Sequence, residues 1–330
     1  MMSAPGGAPP TIILTRSEVA ALMSPADYLD AVEQGFRAVH DGEAQVPPPW
    51  HIDGNGGGFH GKGASLRLDR LYIALKLNGN FPGNPQRNGL PTIQGAILLC
   101  DGENGSLLAV MDSIEVTLRR TAAASALAAR FLARADSASL LVCGCGAQAP
   151  AQLQALRGVL PLKHGWCWDR DPERARAFGR SSALQPIYDL RAAALDSDVI
   201  VTCTTSAEPF LGRDDVRPGT FVAAVGADSP HKSEIEPGLM AGALVVTDST
   251  AQCAAMGDLQ HAIAAGTMAV EDVHAELGEL VAGARPGRTD GRQITIFDST
   301  GVAVQDVASA VRIYKRALSA GARTRLALAV

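Results

Sequence analysis

Between residues 139 and 300 the chain repeats one pattern: a short apolar run without polar alternation, then an alanine-rich stretch at helical spacing. The runs read "SLLVCG", "HGWCWD", "DVIVTCT", "TFVAAVG", "ALVVTDS" and "ITIFDST". Such a run has no face to give to water, so each is a strand covered on both sides. The helical stretches supply the cover and carry the chain back to start the next strand in the same direction. This predicts an α/β fold built on a doubly wound parallel sheet.

The first 120 residues read differently. In "SPADYLDAVEQGFRAVHDGE", Ser24 is placed to cap a helix that starts at Pro25 and stops before the break "VPPPW". "LYIALKLNGNFPGNP" and "PTIQGAILLCDGENGSLLAVMD" follow, the second turning as a hairpin at "DGENG", which predicts an antiparallel sheet. "SIEVTLRRTAAASALAARFLA" is a helix leading into the parallel-sheet region. The amphipathic "VQDVASAVRIYKRALSAG" is suited to fold back onto the first domain. A length of 330 residues suits two domains.

A formal charge of −5 and the absence of a Lys/Arg run argue against a nucleic-acid partner. No apolar stretch approaches the roughly 18–20 residues of a membrane span. The opening "MMSAPGGAPP" lacks the basic head and apolar core of a secretory leader and reads as a disordered cytoplasmic N-terminus. Cys100, Cys143, Cys145, Cys167, Cys203 and Cys253 show no metal-ligand spacing and read as reduced, buried packing residues; no metal site is expected.

In "SLLVCGCGAQAPAQLQAL", Gly144, Gly146 and Ala149 form G-x-G-x-x-A between a strand and a helix. The first glycine permits the tight turn, and the second lets backbone approach a pyrophosphate. The small third residue brings helix and strand close, and the helix N-terminus offers its free N–H groups. The next strand ends in Asp169, placed to bond an adenosine ribose and to repel a 2′-phosphate, which favours NAD. Arg170 beside it is suited to hold that phosphate, so NADP stays open.

"LKLNGNFPGN", "LPTIQGAILLCDGENGSLLAVMDS", "TLRRTAAASALAA", "CGCGAQAPAQ", "VGADSPHKSEI" and "GRQITIFDSTGVAVQD" follow one another as in the ornithine cyclodeaminase and mu-crystallin family, which the chain resembles over nearly its whole length. The resemblance implies a cytoplasmic homodimer with a Rossmann-type domain for NAD or NADP at 123–301. It also implies an α+β substrate-binding and dimerisation domain at 1–122, completed by 302–330. By position, Thr92, Arg120, Gly144, Gly146, Ala147, Gln148, Asp169, Thr204, Ala223, Ala224, Val225, Gly226, Lys232 and Ser299 contact the cofactor. Lys76, Arg120 and Thr300 bind substrate, and Asp228 matches the acid essential to the cyclodeaminases.

The residue types suit that chemistry. Removing hydride from an amino acid α-carbon needs an anchored carboxylate, a neutral amine and a group that stabilises the iminium product. Lys76 and Arg120 can clamp the carboxylate, and Asp228 can hold the amine and exchange its protons. The chain departs from the family in "AQVPPPWHIDGNGGGFHGKGASL". A carboxylate-binding arginine is missing at Trp50 or His51, leaving His51, His60 or Lys62 to replace it, and "FHGKG" stands where the family has Met-Pro. Ornithine itself is thereby put in doubt. The histidines, set among glycines, otherwise read as surface-loop residues. The leading expectation is an ornithine cyclodeaminase-like enzyme, followed by a ketimine reductase or alanine dehydrogenase, and then a dinucleotide-binding protein without catalysis.

Overall fold

The computed structural model describes residues 10–322 and 324–327. Apart from Pro10, the "MMSAPGGAPP" head lies outside the described residues. The chain forms two compact units, one ending at Arg120 and resuming at Val302, the other running Thr121–Gly301.

The first unit opens with β1 (Thr11–Leu14), α1 (Arg16–Leu22) and α2 (Pro25–His40). Ser24 caps α2: its hydroxyl accepts from the Asp27 N–H at 3.3 Å, and the Asp27 carboxylate accepts from the Ser24 N–H at 2.8 Å. Then come β2 (Ala44–Gln45), β3 (Trp50–Gly54), β4 (Gly57–Arg67), β5 (Leu71–Asn80), α3 (Asn84–Asn88), β6 (Ile93–Asp101), β7 (Leu107–Asp112) and α4 (Ser113–Leu132). The sheet runs Arg325–Leu326, β1, β7, β6, β5, β4, β2, with β3 also paired to β4. The β6–β7 hairpin turns at the "DGENG" stretch. The sheet is not wholly antiparallel, because β1 lies parallel to β7. The histidine segment is a correction of a second kind: β3 and β4 make a regular hairpin in which His51 faces His60, not a loop.

The C-terminal helix, Ala303–Ser319, belongs to this unit and packs on α2 and the sheet. Gly35 allows the close approach: a Cβ there would stand 3.2 Å from the Val304 carbonyl and 3.3 Å from the Ala308 side chain.

The second unit contains β8 (Ser139–Cys143), α5 (Gln148–Arg157), β9 (His164–Trp168), α6 (Pro172–Ser182), β10 (Gln185–Pro186), α7 (Leu190–Asp196) and β11 (Val199–Thr202). It continues with β12 (Phe221–Ala224), α8 (Pro237–Ala241), β13 (Leu244–Thr247), α9 (Thr250–Met256), α10 (Asp258–Ala264), β14 (Ala275–Glu276), α11 (Leu277–Ala282) and β15 (Thr295–Asp298). All eight strands pair in parallel, in the order β10-β9-β8-β11-β12-β15-β13-β14. The six apolar runs are its six longer strands, and β8, β11, β12 and β15 are buried at every position. Among the cysteines, Cys143, Cys167 and Cys253 are buried, whereas Cys100, Cys145 and Cys203 are only partly covered, which corrects the reading of all six as core. All six are free.

Candidate active site

In the first unit, β5, α4 and the C-terminal helix bring three ionisable groups together. Ser113, Thr117 and Arg120 share one face of α4 at i, i+4, i+7, and the Ser113 hydroxyl donates to Asn78 of β5 at 2.6 Å. That contact sets α4 over the strand that carries Lys76. Lys76 Nζ meets Asp306 Oδ2 at 2.7 Å, and Arg120 Nε meets Asp306 Oδ1 at 3.1 Å. Arg120 Nη1 donates to Gln305 at 3.0 Å, and Lys76 Nζ lies 3.4 Å from the Thr117 hydroxyl. All three charged groups are buried, at 6 %, 4 % and 2 % exposure for Lys76, Arg120 and Asp306.

Burial pulls Lys76 down to about 7 against the raising influence of Asp306, while Arg120 and Lys62 push it further down. Arg120 and Lys76 overcome the burial of Asp306 and hold its carboxyl below the usual range. Two cations bridged by one carboxylate can receive a second carboxylate, which is what a small-acid clamp requires. Asp306 was not singled out in the sequence. Its signal was an acid within the apolar "VAVQDVA", a position that must be paired once buried.

Thr92 immediately precedes β6, five residues before Ile97, the residue opposite Lys76. That is about 17 Å along the strand, so Thr92 does not join the cation group. His51 is exposed on the hairpin, with Nε2 3.0 Å from Asp53 and Nδ1 3.3 Å from His60 Nδ1.

In the second unit the β8–α5 turn has the shape a pyrophosphate needs. Gly144 has φ +94°, and a Cβ there would lie 2.8 Å from the Cys203 carbonyl. A Cβ on Gly146 would meet nothing within 4 Å, which leaves room beside the backbone. Ala149 is fully buried. Ala147 occupies the N-cap of α5 without a capping side chain, and Gln148 Oε1 is buried without a hydrogen-bond partner. Uncapped N–H groups and an unsatisfied amide at one helix start fit an anionic ligand. Asp169 accepts from the Cys145 N–H at 2.8 Å and from the Asp171 N–H at 2.9 Å. The cap of α6 is Asp171, which accepts from Glu173 N–H at 3.0 Å, so Asp169 is not needed for that role.

Glu234, absent from the sequence reading, fastens the neighbouring loops. Its carboxylate accepts from the Thr204 N–H and hydroxyl, both at 2.6 Å, from the Thr202 hydroxyl at 2.7 Å and from the Gly226 N–H at 2.8 Å. It therefore ties the segment after β11 to Ala223, Ala224, Val225 and Gly226 at the end of β12. Burial, and then the nearby Asp258, raise it to about 7. Asp258 takes the Glu234 and Ile235 N–H groups at 2.8 and 3.0 Å and is itself raised to about 6 by burial. Asp248 holds the last loop: Ser299 donates to it at 2.9 Å, Thr300 at 3.2 Å and the Gly301 N–H at 2.6 Å. Asp228, exposed, is ion-paired with Lys232 at 2.6 Å.

A fully parallel sheet with this turn defines a Rossmann-type unit, joined in one chain to a mixed sheet that buries a cation pair. The chain belongs to the ornithine cyclodeaminase/mu-crystallin family, whose model matches residues 10–321. It is 39 % identical over 316 residues to an alanine dehydrogenase of Archaeoglobus fulgidus, covering 94 % of this chain and 96 % of that one. A solved archaeal alanine dehydrogenase dimer with bound NAD superposes with a TM-score of 0.90 at 37 % identity, covering 96 % of this chain and 98 % of that one. The iminosuccinate reductase of Paracoccus denitrificans in complex with NAD+ gives 0.89 at 32 % identity, covering 96 % and 99 %.

Proposed function

We propose that the chain is an NAD-dependent enzyme of carbon–nitrogen chemistry, acting at the α-carbon of an amino acid or the matching imine. The observation that carries this reading is the buried Lys76–Asp306–Arg120 group, present in the same chain as a turn shaped for a dinucleotide. Gly144, Gly146, Ala147 and Gln148 cradle the pyrophosphate, Asp169 receives the ribose, and Thr204, the Ala223–Gly226 segment, Lys232 and Ser299 line the rest. The dinucleotide, when bound, gives or takes the hydride. A carboxylate at Asp169 favours NAD, and both solved relatives described above hold NAD.

Lys76 and Arg120 anchor the substrate carboxylate, and Asp306 keeps the two cations fixed and partly compensated. Asp228, held by Lys232, accepts a hydrogen bond from the substrate nitrogen and takes or returns its proton. Two net outcomes share these steps. Simple oxidation or reduction changes the NADH balance. The cyclodeaminase outcome, favoured by the acid at Asp228, releases ammonia and leaves NADH unchanged.

A homodimer is part of the proposal. Trp50, Ile52, Phe59, Leu75, Leu77 and Leu98 are exposed. The register places them on one face of the β3–β6 strands, opposite Lys76. A patch of that kind marks an interface. The free cysteines accord with a cytoplasmic setting, and no helix among the described residues is long and apolar enough to cross a membrane. The deciding experiment incubates the protein and either nucleotide with alanine, ornithine, lysine and pyrroline-2-carboxylate, and with 2-oxo acids plus ammonium, following NADH absorbance and ammonia. Failure of every substrate with both nucleotides would sink the catalytic reading.

A further inference from the structure

Asp228 and Lys232 are four residues apart, a spacing that brings side chains together on a helix, but here the pair lies on a turn. The turn closes locally: the Asp228 N–H donates to the Gly226 carbonyl at 3.1 Å, and the Lys232 N–H to the Ser229 carbonyl at 3.0 Å. Two side chains of α10 then reach it from outside. Gln260 Nε2 donates to the Pro230 carbonyl at 3.1 Å, and His261 Nε2 meets the Lys232 carbonyl at 2.8 Å. A carbonyl can only accept, so the imidazole presents a protonated Nε2 to the turn. The start of α10 is itself held by Asp298, which ends β15 and accepts from the Asp258 N–H at 3.3 Å and the Leu259 N–H at 2.9 Å. A Cβ on Gly257 would stand 2.7 Å from that carboxylate, so a glycine is needed for the helix to start so close. Asp258 accepts from the Glu234 and Ile235 N–H groups just past the turn, and Glu234 accepts from the Gly226 N–H just before it. Asp258, Leu259, Glu234 and Asp298 are buried, whereas Asp228 is exposed.

We infer that His261 is a positioning residue for Asp228: by holding the Lys232 carbonyl, with Gln260 on Pro230, it keeps the Lys232 ammonium where it meets the Asp228 carboxylate. The inference rests on the reading of Asp228 as the acid that exchanges the proton of the substrate nitrogen. Proton exchange needs a carboxylate held within hydrogen-bond reach and in one orientation. An exposed ion pair contributes too little to fix that orientation by itself. The buried frame running from the parallel sheet through Asp298 and Asp258 to α10 supplies the rigidity, and His261 passes it to the turn.

Competitive acetylation of the full chain with acetic anhydride, read at Lys232 by mass spectrometry, tests the pairing without turnover. Asp228→Asn, which removes the partner, and His261→Leu, which removes the donor, should each speed labelling of Lys232 about threefold. His261→Gln, whose Nε2 replaces the ring donor, should label as the wild type does. Gln260→Ala gives a second loosened variant should His261→Leu fail to fold. Unchanged labelling in His261→Leu and Gln260→Ala overturns the inference. So does an equal rise in His261→Leu and His261→Gln, which would trace the effect to the ring itself and not to its hydrogen bond. With whichever substrate turns over in the experiment above, His261→Leu should lower kcat about tenfold with KM within about twofold, and His261→Gln should recover most of the loss. Faster labelling with an unchanged kcat also overturns the positioning role. If Asp228→Asn keeps full turnover, the reading of Asp228 as the acid falls, and the labelling still decides whether His261 holds the pair.

Discussion

Replacing Asp306 by Asn removes the carboxylate that Lys76 and Arg120 share and leaves two buried cations side by side. Stripping one partner from a buried ion pair costs about 3–5 kcal/mol when the remaining charge has no escape. Lys76 has one, because burial already holds it near 7 and Asp306 is what raises it. Without Asp306 its pKa falls further. In the wild type, native Lys76 releases its proton near 7 and the unfolded chain near 10.5, so this group's contribution to stability grows across that window. At pH 6 the native wild type carries the proton and the variant has released it, while both unfolded chains are charged. Each pH unit below the wild-type value therefore adds about 1.4 kcal/mol to the loss. At pH 8 native Lys76 is neutral in both proteins, and the loss reaches its floor. Urea unfolding followed by circular dichroism at both pH values measures the difference. The loss should be larger at pH 6 by about 1.4 kcal/mol. A loss equal at the two values, or larger at pH 8, would refute a neutral-range Lys76 and the coupling to Asp306.

Four further outcomes are expected. Gly146→Val should leave the melting temperature nearly unchanged and weaken NADH binding, whereas Gly144→Ala, forced to φ +94° against the Cys203 carbonyl, should lose about 1–3 kcal/mol of stability as well; equal melting temperatures for the two variants would contradict the geometry. Asp228→Asn should abolish turnover while NADH still binds by fluorescence titration, and retained turnover removes the acid from the mechanism. Glu234 is raised from 4.5 to about 7, so the native state holds its proton where the unfolded chain has lost it, and wild-type stability from this group falls as pH rises through that window. Glu234→Gln should flatten that dependence between pH 5 and 7 in thermal melts, and parallel curves would count against it. Leu77→Lys should turn a dimer into a monomer by light scattering; an unchanged mass would place the interface elsewhere.

The second unit was legible because burial on both faces leaves a lexical trace: six apolar runs without polar alternation became its six longer strands. The pairs Gln185–Pro186 and Ala275–Glu276 are too short to carry any periodicity. The parallel pairing of β1 with β7 joins segments about a hundred residues apart and has no local signal. The β3–β4 hairpin was hidden by its glycines, yet a Cβ on Gly61 would sit 1.9 Å from the Trp50 ring, so that glycine is required by a strand neighbour and not by a loop. The candidate site residues named from the sequence came either from the glycine motif or, as with Lys76, Arg120 and Asp228, from their positions in the family resemblance. Asp306 and Glu234, which hold those residues in place, could be recognised only as acids within apolar surroundings, and their partners lie in distant parts of the chain.

The C-terminal helix that carries Asp306 also has a consequence for how the protein is made. Lys76 and Arg120 leave the ribosome long before residue 306, with all of Thr121–Gly301 synthesised in between. The second unit is contiguous and can fold as it emerges, but the first is a sheet without the Ala303–Ser319 helix and a cation pair without its counter-charge until that helix has been made. A nascent chain stopped at residue 301 should therefore expose protease-sensitive sites in residues 10–120 and protect those beyond 121, so that folding order runs opposite to chain order.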